Sequence, residues 1–201
     1  MVGALEGFAD IWGISYLAIA RNINKVEAAA FTSSIFLGMI FGAPVLAYIA
    51  GKIGSEFKVV TASGFLLAII FFIVLYMNTN INDIILYILL FLAGILCSYQ
   101  VLIFSIGAGL VPAYLSAISV AFLNCVNMLG GSFFHSIIGY MMDYFHNGQM
   151  ENDLPIYNAT TYTYALSAIP IASMIGSIMV IYANRLQIYY EQRILDENII
   201  K

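Results

Sequence analysis

Apolar residues run through this chain in long, nearly unbroken stretches, and polar residues collect between them. No Asp, Glu, Lys or Arg occurs in residues 28–51, 59–82, 84–142 or 154–184. A helix needs about 20 apolar residues to cross the hydrocarbon core of a bilayer. The run over 84–142 is therefore long enough for two crossings. The pattern predicts helices over 2–20, 28–51, 59–77, 84–106, 117–142 and 162–183, followed by a tail over 184–201. Membrane β-barrel strands would show alternating polarity over about ten residues, and these runs are longer and continuously apolar. "MNTNIND", "GAGLVPAYLS" and "HNGQMENDLPIYN" supply the loop residues. The fold class expected is an all-α integral membrane protein, a six-helix bundle in a single transmembrane domain.

Composition narrows this further. Hydrophobic residues make up 62% of the 201 residues and charged residues 9%, against about 25% charged in a soluble domain. No separate soluble domain fits in the remaining length. The net charge of −4 gives no basic surface for nucleic acid. Cys97 and Cys125 lie inside apolar runs, outside any CxxC or Cys/His cluster, and read as small packing residues. No metal site or cofactor is expected. HExxH, GxSxG and Walker patterns are absent, which argues against an enzyme.

The basic residues set an expected orientation. Lys52, Lys58, Arg185, Arg193 and Lys201 fall on one side. Arg21 and Lys25 fall on the other, with the loop carrying Asp143, Glu151 and Asp153. The side richer in Lys and Arg faces the cytoplasm, so the C-terminus is expected inside.

Polar residues within the helices are the candidate chemistry. Glu6 and Asp10 are four apart on one face of the first helix, with Gly13 a turn further. Each carboxylate costs about 2.5–3.5 kcal/mol near the bilayer centre. Asp10 lies about 15 Å from Ala20, near the midplane, and marks an ion, proton or cationic-substrate site. Glu6 either joins it or snorkels to the surface. In the fifth helix, Asn124, Asn127, Gly131 and His135 form one stripe, flanked by Gly130 and Ser132. The asparagines either bond between helices or line a cavity. His135 either packs or relays a proton. Tyr99 and Gln100, in the fourth helix, line the same cavity or, for Tyr99, pack. In the second helix Ser34, Gly38 and Gly42 share a face, and Gly38 and Gly42 form a GxxxG suited to close helix packing. The third helix and most of the last, with a kink at Pro170, are expected at the lipid periphery.

Several of these stretches resemble the second half of a major facilitator superfamily transporter. "GMIFGAPVLAYIAGKIGSEFK" is similar to the loop signature between the second and third helices of each half. Gly42, Pro44, Lys52, Ile53 and Gly54 fit it, whereas Gly51 replaces its Asp, and Ser55 and Glu56 replace its basic residues. "FADIWGISYL" resembles an acidic-Trp-Gly motif of the seventh helix. "AFLNCVNMLGGSFFHSIIGYMMD" resembles the eleventh, with His135 where glutamine is common. Within the superfamily the likeness extends to amino-acid-uptake transporters of intracellular bacteria.

The resemblance implies one half of a twelve-helix fold whose substrate site lies at the midplane between halves. It also implies that the first helix lacks roughly ten residues, nearly three turns, before its acidic motif. The expected function is secondary active transport of a small polar solute such as an amino acid, coupled to H+ or Na+ as a symporter, in a bacterial inner membrane. The expected partners are the bilayer, the solute, and an N-terminal six-helix half or a second copy of the chain. Two alternatives stand beside it: a truncated or split product that does not transport unaided, and a membrane-embedded enzyme.

Overall fold

A computed structural model describes residues 2–77, 80–146, 148, 150–151, 154–155 and 157–199. Asp153 and Lys201, used above for orientation, lie outside the described residues. The first helical stretch comprises α1 (Val2–Gly7), a π-helical turn (Phe8–Trp12) and α2 (Gly13–Arg21). The second is α3 (Lys25–Ile53) and the third α4 (Glu56–Tyr76). The fourth is α5 (Asp83–Cys97) and α6 (Gln100–Gly109). A 3₁₀ turn (Ala113–Leu115) leads into α7 (Ser116–Tyr144), the fifth. A two-residue antiparallel pairing of β1 (Met150–Glu151) with β2 (Leu154–Pro155) follows. The sixth stretch is α8 (Ala159–Leu166) and α9 (Ala168–Ile199).

Among the described residues, five stretches are long and apolar enough to cross a membrane: Lys25–Ile53, Glu56–Tyr76, Asp83–Gly109, Ala113–Tyr144 and Ala159–Tyr190. Apart from the β1–β2 pairing, the described secondary structure is helical, and its long apolar helices are consistent in length and composition with a multi-pass membrane protein. The Val2–Arg21 stretch, with its two carboxylates, stands outside that set.

The polar residues between apolar runs are the helix caps. Asn24 Oδ1 accepts from the Glu27 N–H at 2.8 Å, and Asn82 Oδ1 from the Ile84 N–H at 2.9 Å. Ser55 Oγ accepts from the Lys58 N–H, and Asn158 Oδ1 from the Thr161 N–H at 2.8 Å. Each satisfies an N–H that the helix itself leaves unpaired. Glu27, Glu56 and Asp83 stand in the first turns, where the helix dipole favours negative charge. Gly54 closes α3 at φ +68°, a conformation in which a Cβ would be strained.

Packing is set by small residues. α3 lies against α5 with almost no side chain between them. A Cβ on Gly38 would fall 2.0 Å from the Phe91 carbonyl oxygen, and one on Gly94 2.0 Å from the Ile35 carbonyl oxygen. Gly42 faces Ser98, whose Oγ donates to the Met39 carbonyl at 3.1 Å. α4 packs along α9, α1 along α7, α2 against α3, and α6 against α7. The first stretch is anchored to α4 by the Phe8–Phe71 edge-to-face pair at 5.0 Å. The Tyr16 hydroxyl donates to the Leu75 carbonyl at 2.8 Å, one of the oxygens that the end of α4 leaves unpaired. At the same end of the molecule Arg21 bonds Asp83 at 2.5 Å and the Ile81 carbonyl at 2.9 Å.

Three expectations are corrected. The third stretch is not peripheral. More than half of its apolar window is buried, against none of the window of α7, the most polar stretch. A helix that is apolar all round serves buried and lipid-facing surfaces alike, and α4 carries both: Leu67, Phe71 and Val74 are buried, while Leu66, Ile69 and Phe72 are exposed. Residues 184–199 continue α9 and do not form a separate tail. The interruption expected at Pro170 falls at Ser167, between α8 and α9. Pro170 has no N–H to bond the carbonyl four residues earlier, and Ser167 Oγ bonds the Thr163 carbonyl at 2.7 Å and the Tyr76 hydroxyl at 2.9 Å. Elsewhere the observed bounds differ by a few residues, and the fourth stretch is broken at Ser98–Tyr99.

The glycine seam predicts that Gly94→Val lowers thermal stability in detergent by roughly 3 kcal/mol, because the new Cβ meets backbone that cannot yield. Gly51→Ala, with nothing within 4 Å of its Cβ, should be neutral or stabilising by about 0.5–1 kcal/mol.

The loop before α8 predicts a titration. The Tyr157 hydroxyl donates to Asp143 Oδ1 at 2.5 Å, and this bond to a carboxylate pushes the phenol up to about 12. Neutral Tyr157 is the form the fold prefers. Its contribution to stability is therefore complete below pH about 10 and lost as pH rises through about 12. Tyrosinate absorbance should show this late step, and Asp143→Asn should return it towards the ordinary value.

Candidate functional site

Part of the candidate set meets along the first and fifth stretches, and the fifth also packs against the fourth. In the first stretch, the π-helical turn over Phe8–Trp12 gives the chain one more residue per hydrogen-bonded turn than an α-helix. Its closing bond runs from the Gly13 N–H to the Phe8 carbonyl. A Cβ on Gly13 would fall 2.5 Å from that oxygen and 2.8 Å from the Phe8 ring. Only glycine leaves room for this turn against a buried phenylalanine. The widened turn carries Asp10 and Ile11 to an exposed face and turns Trp12 towards α7. π-turns inside α-helices occur often at functional sites.

α1 and α7 run side by side in register. A Cβ on Gly131 would stand 3.9 Å from Glu6 Oε2. A Cβ on Gly7 would stand 3.4 Å from the His135 ring, and one on Gly139 4.0 Å from the Trp12 ring. Glu6 thus lies beside Gly131, and His135 beside the neighbouring Gly7. Tyr99, from the fourth stretch, is buried. It sits in the break between α5 and α6, where Ser98 Oγ bonds back to the Met39 and Gly94 carbonyls. Gln100, half-buried, opens α6.

The fifth-stretch stripe divides. Gly131 is buried, Asn127, Gly130 and His135 are half-buried, and Asn124 is exposed. Among the described residues, Trp12 Nε1, Tyr99 Oη, Asn127 Nδ2 and His135 Nδ1 are buried and without a hydrogen-bond partner. Buried polar atoms in native proteins are nearly all paired, so four such atoms on three neighbouring stretches mark polar lining with bonding capacity to offer. They can donate to a carboxylate or hydroxyl, while Glu6 and Asp10 can hold a cationic group. Among the described residues no three His, Cys, Asp or Glu side chains gather as a metal site.

The loop-signature residues lie elsewhere. Pro44 is exposed within α3, Gly54 caps that helix, and the Lys52 ammonium stands 5.1 Å from the Tyr48 ring centroid. Glu56 accepts from Ser105 Oγ at 2.7 Å, linking this loop to α6. Trp12 entered the sequence analysis only within the acidic-Trp-Gly stretch, and Gly94 not at all, because it has no nearby glycine to form a motif and is recognised only across the seam from Gly38.

Compared with protein-family models, curated proteins and solved structures, the chain finds no match.

The π-turn depends on a single missing Cβ, which predicts that Gly13→Ala disturbs it. The variant should lose roughly 1–3 kcal/mol in thermal unfolding, with a change in Trp12 fluorescence as the indole leaves its seat beside Gly139. Gly109→Ala, where the space is open, should alter neither.

Proposed function

We propose that the chain is a six-helix half of a secondary active transporter of the major facilitator type, moving a small polar solute by alternating access. The observation that carries this reading is a pair of interruptions. The first stretch is widened at Phe8–Trp12 and the fourth is broken at Ser98–Tyr99. Both lie mid-length, and both bear the polar candidates. Discontinuous helices near the midplane are where secondary transporters build substrate and ion sites.

The packing pattern supports the same reading. Exchange the first stretch with the fourth, the second with the fifth and the third with the sixth. The α3–α5 contact then becomes α7–α1, α2–α3 becomes α6–α7, and α4–α5 becomes α9–α1, while α4–α9 maps onto itself. Stretches three apart run in opposite directions when helices alternate across a bilayer. The exchange therefore describes an inverted three-plus-three repeat, the arrangement within each half of such transporters. The interrupted first and fourth stretches are counterparts under it.

A solute with both an amine and a carboxylate, such as an amino acid, suits the mixture of carboxylates and unpartnered donors. Asp10 and Glu6 take the amine, and Trp12, Asn127, Tyr99 and His135 offer bonds to the acid. Proton or sodium coupling would use the same carboxylates. α3 and α7 favour a partner on the open side: Ile40, Phe41, Phe122, Leu129 and Phe133 are all more than half exposed. A second six-helix half, as a separate chain or a second copy, would cover them. With the Lys/Arg-rich side inward, the C-terminus faces the cytoplasm of a bacterial inner membrane.

The test is uptake of a panel of radiolabelled amino acids by cells expressing the chain from its own locus, with native partners present. Asp10→Asn and Asn127→Ala should each lower uptake of the transported solute at least about tenfold, the loss expected for a charged or buried hydrogen bond. Unchanged uptake in both variants, at wild-type protein levels, would overturn the site.

A further inference from the structure

A second polar cluster lies apart from the candidate site. Lys58, in the first turn of α4, and Arg185, on α9, line one groove of about 330 Å3 with Thr61 and Asn184. Both cations are exposed, and among the described residues neither has an ion pair. Glu56, two residues from Lys58, is engaged by Ser105 on the α6 side.

The groove opens into two apolar stripes. On α4, Lys58, Ala62, Leu66 and Ile69 share one helix face by their spacing. Leu66 and Ile69 are 50% and 56% exposed. On α9, Arg185, Ile181, Ile178 and Met174 share a face in the same way, and Ile178 is 57% exposed. Ala62 and Ile181 both line the groove, so the stripes leave it together along the packed α4–α9 pair. The charge-free runs begin at residue 59 and end at residue 184. Both cations therefore stand at one boundary of the apolar zone, the depth of lipid phosphates.

We propose that this groove binds an anionic phospholipid. The phosphate sits between Lys58 and Arg185, with Thr61 and Asn184 in bonding reach of its oxygens. The acyl chains lie along the stripes ending at Ile69 and Met174. Basic pockets between membrane helices recognise lipid headgroups by this combination of charge and depth. The site depends on the membrane location of the chain and is independent of the transport reading.

Native mass spectrometry of the full chain, released from micelles holding equal phosphatidylglycerol and phosphatidylcholine, tests it. Phosphatidylglycerol should be retained preferentially. Lys58→Ala/Arg185→Ala should lower that preference roughly 10- to 30-fold, and each single variant should lose part of it, with helical circular dichroism unchanged. Lys52→Ala, on the same side but outside the groove, should keep the preference. Equal retention by the double variant, or an equal loss in Lys52→Ala, would overturn the proposal. Displacement of the lipid by inorganic phosphate at equal concentration would also overturn it, by assigning the groove to the free anion.

Discussion

The close approach of α3 and α5 is the constraint from which the rest of the arrangement follows. Within a bilayer, apolar side chains gain little by leaving lipid for protein, so helices associate through close contact and hydrogen bonds. Gly38, Gly42 and Gly94 allow that contact at backbone level. Once the two helices are this close, the fourth stretch cannot continue straight past Gly42 without a residue small enough to face it. Ser98 meets that need, and its hydroxyl bonds carbonyls on both helices, Met39 and Gly94. The chain turns at Ser98–Tyr99, and Tyr99 is buried at the turn.

The first stretch reaches the same place by another route. Phe8 and Tyr16 fasten it to α4, one by an edge-to-face ring contact and the other by a bond to a terminal carbonyl. Between these anchors the helix takes up one extra residue as a π-turn, made possible by Gly13. The extra residue rotates Asp10 off the packed face, and the register of α1 on α7 sets Glu6 beside Gly131 and Gly7 beside His135. Two different backbone devices thus bring polar side chains to one level in an otherwise apolar assembly. A polar group there is costly, a cost that the solute of the proposed function would offset.

Much of the fold was legible because the bilayer imposes a simple rule. Charge-free runs of about 20 residues can be little other than crossing helices, and the Asn and Ser residues between them had a second use as N-caps. Burial was less legible. α4 read as peripheral because its run over 65–77 is apolar all round, yet lipid and protein interior are equally apolar, and composition cannot tell them apart. α7 read as interior because it carries two asparagines and a histidine, yet much of its length is exposed. Of its stripe, Gly131 and His135 reach α1, whereas Asn124 stays on the open side.

The sequence by itself determined the helical class, the approximate crossings, and Asp10, Asn127 and His135 as polar residues out of place in apolar runs. Those follow from hydropathy and from spacing along one helix, which are local properties. Tertiary structure alone decided that Gly94 answers Gly38 across a seam, that the first and fourth stretches are both interrupted, and that Lys58 and Arg185 share a groove. Each of these joins residues far apart in the chain. Which helix faces meet depends on where small residues let backbones approach, and no single run of residues contains that information.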